Sequence, residues 1–307
     1  MNKAFVLGAG LGTRLRPLTD QLPKPLIPVL RRPLITYAFD HLLGGGVREF
    51  IVNTHRLSEK YAAAFPDSSY KESPITFRHE PVLLETAGGI ANIADLVGSD
   101  PFLVYNGDIL TDLPLSPLIQ EHQRTGNVIT LALRSTGPAR HIAFHAASGR
   151  ITDIRNKLAT GDLCAHQFTG IYAVSPEFLT HLTPGRLESV IPIFLKLIAE
   201  GGRIGGIVLD EGHWRDLGNR ENYLEAHKAL LGGNIHFNPV SPSARIHPTA
   251  RLMGATVIGD NAEVGADAVL EDCILWPEAR VAEGADLKSC IVRSSMIARG
   301  SMRNADV

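Results

Sequence analysis

Near the N-terminus Gly8, Gly10 and Gly12 alternate with Ala9 and Leu11, Thr13 comes next, and Arg14, Arg16 and Lys24 follow within fourteen residues of Gly10. Glycines at alternate positions let a backbone approach a polyphosphate and turn several N–H groups towards it. Cations placed so soon afterwards would meet the same charge, which makes the segment a triphosphate-binding surface. Lys24 stands between Pro23 and Pro25, an arrangement that predicts an extended segment aiming the ammonium in one direction. The spelling excludes two common glycine loops. A Walker loop has Lys-Ser/Thr directly after its last glycine, whereas Gly12 precedes Thr13-Arg14. A dinucleotide fingerprint needs a small residue where Thr13 stands and an acid about 20 positions later. A carboxylate, Asp108, ends Tyr105-Asn106-Gly107-Asp108. Beside a polyphosphate it would repel its neighbour unless a divalent cation lay between them, which makes it a candidate metal ligand. Standing alone, Asn-Gly-Asp would read as a turn.

The elements that must position these groups follow from the pattern around them. The glycine run begins where Ala4-Phe5-Val6-Leu7 stops, so it leaves the C-terminal end of a buried strand, where open α/β sheets bind ligands. Asp108 likewise follows an apolar run, Pro101 to Tyr105, and is expected at the same sheet edge. Further strands are predicted over Glu49 to Asn53, Ile75 to Arg78 and Val128 to Leu133, with a strand pair over Ile142 to Ile154 turning at Ser148-Gly149. Helical patterns run from Leu34 to Leu43, Gly89 to Leu96, Pro117 to Arg124, Ser189 to Glu200 and Arg220 to Leu231. This alternation predicts an α/β domain with a Rossmann-like, mostly parallel sheet.

After Gly232-Gly233 the character changes. Pro239, Pro242 and Pro248 mark a linker, and a six-residue rhythm then runs through Ile246, Leu252, Ile258, Val264 and Leu270. It slips by one residue and resumes at Leu275, Val281 and Leu287. Hexapeptide periodicity predicts a β-helix of short strands, three to a coil. The slip would place Cys273 and Cys290 on adjacent coils as stacked core thiols. The expected organisation is a catalytic domain over 1–231, a linker over 232–245 and a β-helix over 246–307.

The 30 basic and 32 acidic residues leave no basic excess of the kind that marks a nucleic-acid binder, so phosphate affinity must be local. No apolar run reaches the roughly 18 residues of a membrane span, and Met1-Asn2-Lys3 leads straight into a strand, so the chain is expected to be cytoplasmic and not membrane-bound. Cys164, Cys273 and Cys290 are too few and wrongly spaced for zinc.

The run from Gly10 to Thr19, Gly-Leu-Gly-Thr-Arg-Leu-Arg-Pro-Leu-Thr, together with Pro23-Lys24-Pro25-Leu26, resembles the signature of the sugar-1-phosphate nucleotidylyltransferases, the NDP-sugar pyrophosphorylases. Within them the chain looks most like the mannose-1-phosphate guanylyltransferase-like proteins that carry a C-terminal hexapeptide-repeat domain. The resemblance implies a left-handed β-helix at the C-terminus, a homo-oligomer, and Mg2+ as cofactor. It also implies a nucleoside triphosphate and a sugar 1-phosphate as substrates. In the motif-by-motif match, Leu7, Gly8, Ala9, Gly10, Gly12, Thr13 and Arg14 lie on the nucleotide. Arg14, Lys24 and Asp108 are catalytic, and Asp216, in Trp214-Arg215-Asp216-Leu217-Gly218, shares the metal with Asp108. A helix N-cap is the alternative role for Asp216.

Glu80 to Gly89 matches the segment lining the base pocket, with Glu85 where many members have glycine. The resemblance implies that Gly88 and Gly89 read the base edge through their main chain. A carboxylate matches two adjacent donors, which makes Glu80 a candidate for guanine, although a loop glutamate is more often solvated. Phe168-Thr169-Gly170-Ile171-Tyr172 resembles the strand on which the sugar lies, its glycine giving a flat surface. Asn156-Lys157 stands where many members have Glu-Lys-Pro, and is matched to the sugar phosphate. The activity implied is transfer of a nucleotidyl group to a sugar 1-phosphate with release of pyrophosphate, an EC 2.7.7 reaction. GTP with mannose 1-phosphate or a manno-heptose 1-phosphate leads. UTP or dTTP with glucose 1-phosphate or an amino sugar 1-phosphate is the alternative, followed by cytidylyl transfer to a small phosphorylated alcohol. A non-catalytic nucleotide-sugar-sensing subunit would tolerate losing Arg14, Lys24, Asp108 or Asp216, yet all four are present. A hexapeptide-repeat acyltransferase would need more coils and a histidine beyond His247.

Overall fold

The structure, a computed structural model, describes residues 1–233 and 237–307. The chain divides into two compact units, Met1–Gly10 with Ile35–Trp214, and Leu11–Leu34 with Arg215–Val307.

The first unit is built on a ten-stranded sheet. Its strands are β1 (Lys3–Leu7), β2 (Glu49–Thr54), β3 (Ser69–Tyr70), β4 (Ser73–His79), β5 (Phe102–Asn106), β6 (Ile129–Arg134), β7 (Arg140–His145), β8 (Arg150–Ile154), β9 (Cys164–Val174) and β10 (Ile204–Val208). They are ordered β7-β8-β10-β6-β9-β5-β1-β2-β4-β3. β5, β1, β2 and β4 run parallel, while β9 lies antiparallel between β5 and β6. Ala4, Phe5 and Val6 are wholly buried, as are Leu103, Val104 and Tyr105. Such continuous apolar runs are what parallel strands covered on both faces require. Helices Ile35–Gly44, Glu59–Ala64, Glu85–Asn92, Leu115–Thr125 and Val190–Ala199 belong to the same unit. The helix expected over Gly89 to Leu96 starts earlier, at Glu85, and ends at Asn92, with a separate turn over Ala94–Val97. Register brings the strand ends level, Leu7 beside Asn106 and Thr54 beside His79. Gly8, Asp108 and Glu80 therefore leave one edge of the sheet.

The second unit joins an N-terminal segment to the C-terminal coils. Residues Leu11–Leu34 contain only short pieces: 3-10 turns at Thr13–Leu15 and Lys24–Leu26, a one-turn helix at Leu18–Gln21, and a hairpin of Pro28–Val29 with Arg32–Pro33. The helix Arg220–Gly233 follows the Asp216 segment. Of the linker expected over 232–245, Gly232 and Gly233 close that helix, and residues 234–236 lie outside the described residues.

The C-terminal coils stack as three parallel sheets. Val264, Val281 and Ala298 point inward from the first, Leu270 and Leu287 from the second, and Ile258, Leu275 and Val292 from the third. The hexapeptide rhythm is thus the inward-facing set. Partners lie 18 residues apart at Arg245 and Glu263 and 17 apart at Glu271 and Lys288, so the slip in the rhythm shortens the coil. Cys273 and Cys290 are both buried beside the paired Ile274 and Ile291, and the Ile274 N–H donates to the Cys290 carbonyl at 2.9 Å. Among the described residues no helix is long and apolar enough to cross a membrane.

Candidate active site

At the edge of the first unit's sheet the backbone is tied down by buried hydrogen bonds. The Gly8 N–H donates to Asn53 Oδ1 at 2.7 Å, and the Tyr61 hydroxyl donates to the Gly8 carbonyl at 2.8 Å. A Cβ on Gly8 would lie 2.6 Å from the Asn53 carbonyl oxygen, so only glycine fits. Asn53 Nδ2 donates to Glu80 Oε1 at 2.7 Å, and the Leu84 N–H donates to Glu80 Oε2 at 3.0 Å. Glu80 is wholly buried. A buried carboxylate with both oxygens engaged shapes the loop around it, whereas the sequence suggested an exposed acid free to meet a base. The Gly8 N–H is likewise committed inside the fold, and the contribution of this glycine is close approach.

Gly107 carries the chain from β5 across the end of β1. Its N–H donates to the Leu7 carbonyl at 3.1 Å, and a Cβ there would stand 2.6 Å from that oxygen. Asp108 follows at once, at the sheet edge its sequence context predicts. Gly170 has φ of 84°, and a Cβ would press to 2.6 Å from Asn106 Nδ2. It lies where the β9 register shifts between Phe168 and Tyr172. The conformation and the close contact both demand glycine there.

The loop before the helix Glu85–Asn92 is fixed from the other side by residues 186–190. The Ala87 and Gly88 N–H groups donate to the Glu188 carbonyl at 2.8 and 3.2 Å, and the Val190 N–H donates to Thr86 Oγ1 at 2.9 Å. A Cβ on Gly88 would meet the Arg186 carbonyl oxygen, and one on Gly89 would crowd Asn53 and Glu80. Gly88 and Gly89 are thus explained by packing, and the Gly88 N–H is already bonded. Glu85 has φ of 57°, in the left-handed region that favours glycine, so the backbone keeps the shape glycine gives while carrying an exposed carboxylate.

Asn156 and Lys157 stand exposed on a turn after β8. Asp153, wholly buried, organises it by accepting from the N–H groups of Lys157 at 2.9 Å and Leu158 at 3.1 Å. Arg155 and Asn156 both have positive φ there.

The second unit gathers the charges. Gly12, at φ of 61°, accepts at its carbonyl from the Leu15 N–H at 3.0 Å and from the Thr19 hydroxyl at 2.9 Å, which folds the chain tightly behind the glycines. Lys24 begins a 3-10 turn closed by the Leu26 N–H on the Pro23 carbonyl at 2.8 Å. It is not the extended residue that its two prolines predicted. Proline suits the first turn of a helix, where its missing N–H costs nothing, and the turn buries the lysine stem. The Lys24 side chain is 8% exposed and Nζ lies 3.4 Å from Asp216 Oδ1. Arg14 is 70% exposed, with Nη2 3.9 Å from Asp216 Oδ2.

Asn219, not Asp216, caps the following helix, its Oδ1 accepting from the Asn222 N–H at 2.8 Å. The Asp216 carboxylate is left facing the two cations. A Cβ on Gly218 would come within 2.7 Å of Asp216 Oδ2 and 2.9 Å of Arg14 Nη2, which gives the glycine of the Trp-x-Asp-x-Gly segment its reason. Asn53, Tyr61, Asp153 and Glu188 were missed by sequence reasoning. Asn53 did carry a signal, as a polar residue closing an apolar strand.

A family model described as nucleotidyl transferase matches residues 3–232. A mannose-1-phosphate guanylyltransferase of Mycobacterium tuberculosis is 32% identical over 299 residues, covering 92% of this chain and 81% of its own length. An N-acetylmuramate alpha-1-phosphate uridylyltransferase of Neisseria meningitidis is 33% identical over 232 residues, covering 75% of this chain and 98% of its own. Among solved structures, a putative glucose-1-phosphate thymidylyltransferase from Bacillus anthracis has the same fold, with a TM-score of 0.65 at 20% identity over 78% of this chain and 98% of that one.

Proposed function

Because this chain belongs to the nucleotidyl transferase family and transfers nucleotidyl groups to sugar 1-phosphates, we propose that its substrates are GTP and mannose 1-phosphate or a manno-heptose 1-phosphate. A phosphate oxygen of the sugar 1-phosphate attacks the α-phosphorus in line, the bond to the bridging oxygen breaks, and pyrophosphate leaves with the electron pair. The attacking phosphate is largely dianionic at neutral pH, so no general base is needed and catalysis becomes positioning and neutralisation of charge.

One observation carries the assignment of roles: Lys24 and Arg14 converge on the carboxylate of Asp216. Arg14, on the exposed side, holds the β- and γ-phosphates and the departing pyrophosphate. Lys24, nearly buried and fixed by its turn, stands between the phosphates that must approach each other. Asp108 and Asp216 would hold Mg2+, since their carboxylates are hard oxygen donors of the kind it takes. The ion would supply further charge neutralisation at the α-phosphate. Gly8, Ala9, Gly10, Gly12 and Thr13 lie along the nucleotide, and Gly170, Asn156 and Lys157 meet the sugar phosphate. A homo-oligomer and a cytoplasmic setting complete this reading.

Uridylyl transfer to an amino sugar 1-phosphate is a second reading. It is favoured by Glu80, which is buried with both oxygens already accepting, from Asn53 and from the Leu84 N–H, and by the N-acetylmuramate relative. Pyrophosphate release over four nucleoside triphosphates and a panel of sugar 1-phosphates decides between them. GTP with mannose 1-phosphate is expected to give the highest kcat/KM. A higher value for UTP with an amino sugar phosphate selects the second reading, and no release from any pair sinks both.

A further inference from the structure

Arg14 and Lys24 sit on a segment of short pieces that leans on contacts from outside it. Leu11–Leu34 contains two 3-10 turns, a one-turn helix and a two-residue hairpin. Pieces this short are marginal without outside contacts, because a single helical turn fixes many dihedrals for few bonds. Within its own unit, bonds to the segment come from far along the sequence. Arg293 Nη1 donates to the Pro17 carbonyl at 3.3 Å, and Gln21 Nε2 donates to the Ser294 carbonyl at 3.2 Å. Arg293 is itself held by the end of the chain, its Nε and its backbone N–H both donating to the Val307 carbonyl. Pro17 lies three residues after Arg14 and Gln21 three before Lys24. Adjacent residues of one coil thus grip the turn between the two cations.

A second set of bonds holds the far end of the segment. The Tyr223 hydroxyl donates to the Pro28 carbonyl and accepts from Trp276 Nε1 at 3.0 Å. Tyr223 belongs to the helix Arg220–Gly233, which Arg220 ties to the coils through Asp306 Oδ1 at 2.7 Å and Lys228 through Asp272 at 3.3 Å. Outward residues of the third coil sheet, Val257, Ile274 and Ile291, are no more than 2% exposed. The outer faces of the other two sheets carry ion pairs, Arg245–Glu263–Arg280 on one and Glu271–Lys288 and Asp286–Arg303 on the other. The coils therefore spend their buried outer face and their terminal residues within the molecule.

We propose that the C-terminal coils are a positioning device for the phosphate-handling segment, and that Arg293 is its principal positioning residue. Arg293 acts through Pro17, without touching substrate, by fixing the turn that lies between the two 3-10 turns carrying Arg14 and Lys24. The catalytic consequence rests on the roles given to Arg14 and Lys24 above. The clasp itself does not, and it can be read without turnover.

The test is made on the full chain with two variants, Arg293→Ala and Gln21→Ala, each removing one side of the clasp. Hydrogen exchange reads the turn amides of Leu15, Arg16, Asp20 and Leu26, whose bonds close the segment. Both variants are expected to speed exchange at these amides and leave Ile274 and Trp276 in the coils protected. With the preferred substrate pair, Arg293→Ala is expected to lower kcat about ten-fold or more while the KM for the nucleotide moves less than about three-fold, as misplacement of transition-state groups does. Arg293→Lys, which can still reach one carbonyl, restores part of the rate. Unchanged exchange in both variants overturns the proposal. So does exchange that quickens equally through the coils, which would make Arg293 a residue of β-helix stability alone. Faster exchange without any loss of kcat keeps the clasp and removes its catalytic role. If the wild-type chain releases no pyrophosphate from any pair, the functional reading fails and the exchange result still decides the clasp.

Discussion

At the strand ends of the first unit, polar groups face one another: the Gly8 N–H, Asn53, Glu80 and the Leu84 N–H form one buried chain of hydrogen bonds. Around Asp216 in the second unit the charged groups lie closer to solvent. Arg14 and Asp216 are partly exposed, and only Lys24 is tucked in beside them. A buried polar group left without its partner is costly, so the first arrangement fixes shape. Partly exposed ion pairs contribute little to stability, so the second is free to exchange its partners for a substrate's phosphates. One unit supplies form and the other supplies charge, and substitutions in the two should fail differently.

The largest effect is expected at the charged pole. Lys24→Met, which removes the ammonium and keeps the buried stem, should cut turnover at least about 100-fold, as loss of a transition-state contact of a few kcal/mol does, while the unfolding midpoint in urea stays close to wild type. Pyrophosphate release and urea titration measure the two quantities. Near-normal release would remove Lys24 from the mechanism and erase the contrast between the units.

The two poles also differ in how far they could be read from sequence. Arg14, Lys24, Asp108 and Asp216 stand out because charged residues beside glycine and proline have few structural reasons to be there. The parallel sheet and the coil rhythm were legible for a similar reason, since period and apolar run length report burial directly. What stayed hidden is what depends on contacts distant in sequence. Asn53 bonds Glu80 across 27 positions, and Glu188 satisfies Ala87 and Gly88 from about a hundred positions further on. No local pattern announces such pairs. Glu80 shows the consequence: its spelling suggested an exposed acid, and its depth is set by a β2 residue. Lys24 shows another, since proline chemistry predicted rigidity correctly but not the 3-10 turn through which it is achieved.

A smaller effect, of the opposite kind, is expected in the buried network. Asn53→Leu leaves the Gly8 N–H and Glu80 Oε1 without their partner in the interior, which should cost about 2 kcal/mol of stability. Urea unfolding would show a lower midpoint at unchanged slope. An unchanged midpoint would mean that the network is not what holds the strand ends, and the division between form and charge would lose its first half.

The smallest effect is the most discriminating, because it changes position without changing charge. Gly218 lies beside the Asp216 carboxylate and the Arg14 guanidinium, and an added methyl would come within 2.7 and 2.9 Å of them. Both are ends of flexible side chains that can move aside, so Gly218→Ala should cost less than about 1 kcal/mol in stability. The displaced groups, however, are those proposed to meet the metal and the departing pyrophosphate, and a shift of a few tenths of an ångström should lower kcat about ten-fold. Loss of rate with the unfolding midpoint retained, seen in pyrophosphate release and urea titration side by side, is the signature of a pole that supplies charge in a set place. Equal loss of stability would instead place Gly218 with Gly8 and Gly107, glycines that exist to let backbone pass backbone.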